Sequence, residues 1–257
     1  MFTQYGPTHS RTFAQIFSIS MTRLSVNINK VALIRNSRGG NLPNLRQFAQ
    51  DCEGYGADGI TVHPRPDQRH IRYDDLHVLK EVVTTEFNIE GYPSEEFLKI
   101  VCEVRPHQCT LVPDPPGVLT SSEGWDTIKQ ADLLRDVISQ LHDAGIRVSI
   151  FLDAELNKLE AVPHCGADRI ELYTGAYAKT YTHDPEVAIK AHQRVSSRAV
   201  ELGLGLNAGH DLNLDNLHYY KNNVSKLLEV SIGHALISDS LYFGIQNTIG
   251  MYKKLLR

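Results

Sequence analysis

The chain has 257 residues, 42% of them hydrophobic and 22% charged, enough apolar sequence for the sizeable core of a soluble globular protein. A formal charge of −4 offers no basic footprint for nucleic acid, and no stretch interleaves basic and aromatic residues as single-strand binders do. No apolar run approaches the roughly 20 residues of a membrane helix.

Residues 1 to 20 lack a basic segment followed by an apolar one, so they read as an extension outside the fold rather than a secretory signal. The folded domain is expected from 21 to 257. A strand at 24–28 precedes a helix at 43–54, and a strand at 59–62 precedes a helix at 74–84. The pattern continues with strand 87–89 and helix 94–104, strand 108–112 and helix 126–144, then strand 147–152 and helix 155–164. It closes with strand 169–172 and helix 185–202, strand 205–206 and helix 214–221, and strand 228–232 with helix 235–255. Ser94 with Glu95 and Glu96, and Asp184 with Pro185, are helix-start signals, while Gly145 and Gly203 are helix stops. Cys52, Cys102, Cys109 and Cys165 form no Cys-x-x-Cys pair and read as packing residues in a reducing, cytoplasmic compartment.

Tyr55-Gly56-Ala57-Asp58-Gly59-Ile60 is similar to Cys165-Gly166-Ala167-Asp168-Arg169-Ile170, and Ala144-Gly145-Ile146 is a looser copy. A repeated helix–Gly–strand unit in eight alternations predicts a single α/β domain, a (β/α)8 TIM barrel with parallel strands. The alternative, an open doubly wound sheet, lacks a Gly-x-Gly-x-x-Gly after the first strand. In a barrel the catalytic groups gather where strands end, above an interior filled by packed side chains.

Those exits are unusually polar. Asn27 and Asn29 follow the first strand, and His63, Arg65, Arg69 and His70 follow the second. A neutral imidazole can move protons near pH 7 and guanidinium groups match phosphate oxygens, although a solvated charged loop would read the same. Glu90 and Glu171 interrupt apolar strands; facing the barrel mouth they would be desolvated toward the range of a general base, and the plain alternative is a structural ion pair. Asp153 fits either role. Asn207-Ala208-Gly209-His210 and Ile232-Gly233-His234 follow strands seven and eight, where barrel loops often hold phosphate through backbone N–H groups. No His-x-His or His-Glu-x-x-His spacing occurs, so no metal site is expected.

From about residue 23 onward the chain resembles the pyridoxine 5′-phosphate synthase family of vitamin B6 biosynthesis. The resemblance rests on Val26-Asn27-Ile28, Arg35-Asn36-Ser37-Arg38-Gly39, Gly56-Ala57-Asp58-Gly59-Ile60-Thr61-Val62-His63 with Arg65 and Arg69-His70-Ile71, Leu111-Val112-Pro113, and the two Gly-His segments. It implies ring closure between 1-deoxy-D-xylulose 5-phosphate and 3-amino-2-oxopropyl phosphate, with no cofactor or metal, in a homo-octamer. It implies His63 and Glu90 as general bases, His210 as general acid, and Glu171 as a charged group that stabilises intermediates. Asn27, Arg38, Gly233 and His234 would hold the aminoketone phosphate, and Arg65 and His70 the deoxyxylulose phosphate.

Three segments depart from the familiar family pattern. Asn29-Lys30 replaces Asp-His in the sugar-phosphate site, where an ammonium can bind as a point charge. Asp211 replaces a glycine after His210, and the loop at 118–125 offers Thr120 or Ser121 as the hydroxyl that touches substrate. Two other readings fit the same strand exits. One is another phosphate-binding barrel enzyme, such as an isomerase or a Schiff-base aldolase using Lys30; the other is a non-catalytic barrel that binds a sugar phosphate.

Overall fold

Within the strands apolar residues fall at every second position, as in Leu24-Ser25-Val26-Asn27-Ile28 and Phe87-Asn88-Ile89-Glu90, so each strand has one apolar and one polar face. The computed structural model describes residues 21–114 and 123–257. The expectations for residues 1 to 20 and for Thr120 and Ser121 fall outside those described residues. The strands are β1 (Arg23–Asn27), β2 (Gly59–Val62), β3 (Glu86–Gly91), β4 (Gln108–Leu111), β5 (Arg147–Leu152), β6 (Arg169–Tyr173), β7 (Gly205–Gly209) and β8 (Leu227–Ile232). They pair in parallel, in sequence order, and β8 closes on β1. The structure is the predicted eight-stranded barrel.

The apolar alternates, such as Leu24, Val26, Ile60, Ile89, Val148, Ile170 and Val230, are fully buried in the core between the strands and the helices. The polar alternates therefore fill the barrel, in place of the branched apolar layers that such interiors commonly hold. At mid-height Ser25 Oγ lies 2.7 Å from Thr61 Oγ1, Asn88 Nδ2 donates to Thr61 Oγ1 at 3.3 Å, and Thr110 Oγ1 donates to Asn88 Oδ1 at 3.1 Å. At the strand starts Glu86 is held by Arg147, by Arg23 at 2.9 Å and by Arg169 at 3.6 Å. The repeated Gly-Ala-Asp has a mechanical reason. Gly56 and Gly166 take φ of 102° and 82°, which glycine adopts without steric cost, and the aspartates then stitch neighbouring strands together. Asp58 Oδ2 accepts from Leu24 N at 2.8 Å, and Asp168 Oδ2 accepts from Val148 N at 2.7 Å.

The helices among the described residues are α1 (Asn29–Asn36), α2 (Leu45–Gly54), α3 (Tyr73–Val82), α4 (Glu95–Val104), α5 (Ala131–Asp143), α6 (Leu156–Cys165), α7 (Gly175–Tyr181), α8 (Pro185–Glu201), α9 (Leu217–Asn223), α10 (His234–Phe243) and α11 (Ile245–Leu255). The expected caps form: Ser94 Oγ accepts from Phe97 N at 3.2 Å, and Asp184 Oδ1 from Val187 N at 3.0 Å. Each such cap is worth about 1 kcal/mol. Gly145 and Gly203 end their helices at φ of 78° and 75°.

Several boundaries differ from expectation. α1 and α7 were not predicted: α1 leaves Leu33 and Ile34 exposed while burying Arg35, which blurs its apolar period, and α7 is one short turn-rich segment of small and tyrosine residues. The single helix expected at 235–255 divides at Gly244, φ 74°. β7 runs on through Asn207, Ala208 and Gly209; the turn-type Asn207 and Gly209 serve instead as interior positions, while Ala208 packs in the core outside the barrel. All four cysteines are free, three of them buried. No helix among the described residues is long and apolar enough to cross a membrane.

Candidate active site

The polar faces of the strands rise to a cavity of about 460 Å³ at the C-terminal mouth of the barrel. Asn27, Asn29, Lys30, His63, Arg65, His70, Glu90, Glu171, His210, Asp211, Gly233 and His234 all line it. Strand exits far apart in sequence thus meet in one place, as the barrel topology requires.

On the β1–β2 side the asparagines act first as fasteners. Asn27 Oδ1 accepts from Asn29 N at 3.1 Å, and Asn29 Oδ1 accepts from the His63 backbone N–H at 2.9 Å. His63 is thereby fixed at the tip of β2, with the His70 ring edge-on at 6.3 Å. Burial, and then the Arg65 charge, push both imidazoles down, His63 well below its usual range and His70 to about 4. Both rings are therefore neutral at pH 7, beside the cationic Lys30 and Arg65. Arg65 also reaches Asp114 Oδ2 at 3.3 Å. Neutral imidazoles beside two cations give this wall the chemistry that suits an anion.

Glu90 and Glu171 face the interior from β3 and β6 and are almost fully buried. Asn27 Nδ2 donates to Glu90 Oε2 at 3.4 Å. Burial pushes Glu90 up to about 8, partly offset by Arg65; burial and then Glu90 raise Glu171 well above the carboxylate range. Burial chiefly, and mutual repulsion of the two carboxyls after it, favour their protonated forms at neutral pH. A carboxyl poised near the working pH can both take and return a proton. Gly209 leaves room for them, because a Cβ there would push the Glu171 carboxylate aside.

On the β7–β8 side His210 takes φ of 94°, a backbone region that non-glycine residues seldom adopt and that recurs at functional sites. Its Nδ1 lies 2.8 Å from Asp211 Oδ2. The hydrogen bond to His210 holds the Asp211 carboxyl below its usual range against the opposing effect of burial. Asp211 N in turn donates to Thr174 Oγ1 at 3.1 Å, and Thr174 Oγ1 donates to Gly209 O at 2.7 Å. Asp211, read from sequence as a charge in place of a glycine, is an orienting partner that directs Nε2 of His210 away from itself. Gly233 precedes α10, and a Cβ there would stand 3.1 Å from Asn27 Cβ. The α10 N-terminus, with its unpaired N–H groups, faces the same mouth.

Two of the residues singled out in the sequence lie off the cavity. Arg38 is exposed beyond the end of α1 and does not line the cavity. Asp153 is paired with Lys158 at 2.8 Å and also lies off the cavity, which favours its structural role. Val112, Phe151 and Ser231 line the cavity without having been singled out. The period of two carried the signal for Ser231, because it shares the inward parity of Glu229 two residues before it.

A family model described as pyridoxal phosphate biosynthesis protein PdxJ matches residues 24–257. Pyridoxine 5′-phosphate synthase of Bacteroides fragilis (strain YCH46) is 55% identical over 237 residues, which are 92% of this chain and 100% of that protein. The protein of the same name from Cytophaga hutchinsonii is likewise 55% identical, with the same shares covered. Among solved structures, tryptophan synthase from M. tuberculosis superposes with a TM-score of 0.65 at 10% identity, over 93% of this chain and 94% of that one. Monomers of phosphoribosylanthranilate isomerase from Thermotoga maritima give 0.58 at 15% identity, over 92% and 98%. At such identities the structural matches speak for the barrel alone, whereas the sequence matches run almost from end to end. This chain belongs to the PdxJ family of pyridoxal phosphate biosynthesis proteins.

Proposed function

We propose that the chain is a pyridoxine 5′-phosphate synthase that condenses 1-deoxy-D-xylulose 5-phosphate with 3-amino-2-oxopropyl phosphate. Atom balance then gives pyridoxine 5′-phosphate, one inorganic phosphate and two waters, with no net oxidation. The observation that carries this reading is the placement of two buried carboxyls, a neutral imidazole and a His–Asp pair between two phosphate-suited walls. Repeated proton transfer, rather than electron transfer, is what imine formation, dehydration and aromatisation demand.

Lys30, Arg65 and His70 hold the deoxyxylulose phosphate at the β1–β2 wall, and Gly233 and His234 hold the aminoketone phosphate at the α10 N-terminus. The amine attacks the ketone to form an imine with loss of water. Glu90 and His63 remove carbon-bound protons, His210 returns protons to departing oxygens while Asp211 fixes its ring, and Glu171 supports cationic intermediates. Asn27 hydrogen-bonds Glu90 and Asn29 holds His63, so both act on the bases as well as lining the site. Arg38 keeps the role that family likeness implies, on the aminoketone phosphate, and the hydroxyl of Thr120 or Ser121 the role of touching substrate. In this reading the enzyme works in the cytoplasm as a homo-octamer, both as family likeness implies; Leu241 and Tyr242 on α10, 73% and 85% exposed, fit association with other copies without setting their number.

Expression in a bacterium that lacks its own synthase tests the proposal. Growth without added pyridoxine is expected for the wild-type chain and not for Glu90→Gln; failure of a well-expressed wild-type chain to rescue growth counts against it. For the Schiff-base alternative, borohydride should trap no covalent Lys30 adduct.

A further inference from the structure

The segment Arg35-Asn36 ends α1 and belongs to no part of the reaction scheme, yet its polar groups are spent on Asp75 and on the carbonyls of residues 68–70. Arg35 is 3% exposed and grips Asp75 with both terminal nitrogens, at 2.6 and 2.8 Å. Asp75 also accepts from Arg72 N at 2.8 Å, so it is anchored at the start of α3. Arg35 Nη2 donates to the His70 carbonyl at 3.2 Å. Asn36 Nδ2 reaches the carbonyls of Gln68 at 3.4 Å, Arg69 at 3.2 Å and His70 at 2.7 Å. Arg35 Nε steadies Asn36 by donating to its Oδ1 at 3.0 Å.

The consequence lies in one peptide plane. The His70 carbonyl and the Ile71 N–H belong to the same planar unit, so pinning the oxygen from one side aims the N–H to the other. That N–H donates to Nδ1 of His70 itself at 2.9 Å. A ring nitrogen that accepts a hydrogen bond carries its lone pair, so the proton of the uncharged ring sits on Nε2, the nitrogen left for the cavity that His70 lines.

We propose that Arg35 and Asn36 are positioning residues: by clamping the His70 carbonyl they lock the imidazole as the Nε2–H tautomer, a fixed single donor to the phosphate-bearing sugar substrate. This rests on the synthase reading for the identity of the ligand, but the locked tautomer itself does not. His70 then selects an acceptor-rich, phosphate-like group by direction rather than by charge, while Lys30 and Arg65 supply the charge. Lys30 stands in the first turn of α1 and Arg35 and Asn36 in its last, so one helix sets both components.

The test uses full-length enzyme with 15N-labelled histidine at pH 7, the His70 signals being assigned by their loss in His70→Gln. The wild-type ring should show an unprotonated Nδ1 and a protonated Nε2; a protonated Nδ1 overturns the proposal without any need for turnover. In Asn36→Leu, which keeps the bulk but removes the donor, the ring signals should lose their single-tautomer pattern. The KM for 1-deoxy-D-xylulose 5-phosphate should rise about 10-fold, with kcat and the KM of the aminoketone phosphate within about 2-fold of wild type. An unchanged ring spectrum, or an equal rise in both KM values, overturns it. If Asn36→Leu does not fold, the wild-type spectrum still decides on the tautomer and Asn36→Ala replaces it in the kinetic test. Absence of turnover in the wild-type enzyme would sink the synthase reading, and the ring spectrum would still test the clamp.

Discussion

Replacing Glu90 by glutamine keeps the volume and the hydrogen-bonding capacity of the side chain and removes only its ability to gain and lose a proton. Glu90 is 9% exposed and its carboxyl is raised from 4.5 to about 8. Between those values the folded state holds a proton that the unfolded state has released, so stability falls as pH rises through that window. At pH 7 the corresponding cost is at most about 3 kcal/mol, the work of keeping an ionisable group where its charge is poorly solvated. Glutamine carries no such cost, so Glu90→Gln should leave the thermal midpoint unchanged or raise it by a few degrees. Turnover should fall roughly 100- to 10,000-fold, the usual contribution of a positioned base. A structural ion pair predicts the opposite stability change, a loss of about 3–5 kcal/mol. Calorimetry and product formation on one sample separate the two. An active variant, or one that is inactive because it unfolds, refutes the role of Glu90.

Asp211→Asn should lower kcat at least about 10-fold with the fold intact, because the His210 ring loses the anion that orients it; a full-rate variant would remove the pair from catalysis. Glu86→Gln should instead lower stability by about 3–5 kcal/mol, since it leaves the buried Arg169 and the half-buried Arg147 at the strand starts without their carboxylate, while turnover per folded molecule stays unchanged. His70 and His192 are both lowered from 6.5 to about 4, so in that window the unfolded state binds more protons and stability should be lost as pH falls from 6.5 toward 4; His70→Gln should flatten the loss seen by chemical denaturation. Arg38→Ala should raise the KM for the aminoketone phosphate with little change in kcat, and an unchanged KM would place Arg38 outside the site.

The barrel was legible because its signals are local and repeated: the period of two in each strand, the Gly-Ala-Asp approach and the helix caps all follow from short-range sterics and hydrogen bonding. The mouth was legible for a related reason, since a closed parallel barrel brings every strand exit to one end whatever the spacing between them. Other features depend on partners that spacing cannot reveal. Arg35 and Asn36 act on carbonyls more than 30 residues away, and Asn29 holds the His63 backbone across 34 residues. The polar interior was implicit in the alternation of Ser25, Thr61, Asn88 and Thr110, but a sequence does not show which of two faces turns inward. Glu229, 2% exposed and pushed up to about 8, chiefly by burial, is a further interior carboxyl that residue type and strand position alone did not distinguish.

The most direct test of the central claim is to incubate the purified protein with 1-deoxy-D-xylulose 5-phosphate and 3-amino-2-oxopropyl phosphate, alone and together, without added metal or cofactor. Pyridoxine 5′-phosphate and inorganic phosphate should appear in equal amounts, only when both substrates are present, and at a rate that collapses in Glu90→Gln. No pyridoxine 5′-phosphate from folded enzyme, or equal formation by Glu90→Gln, would contradict the account.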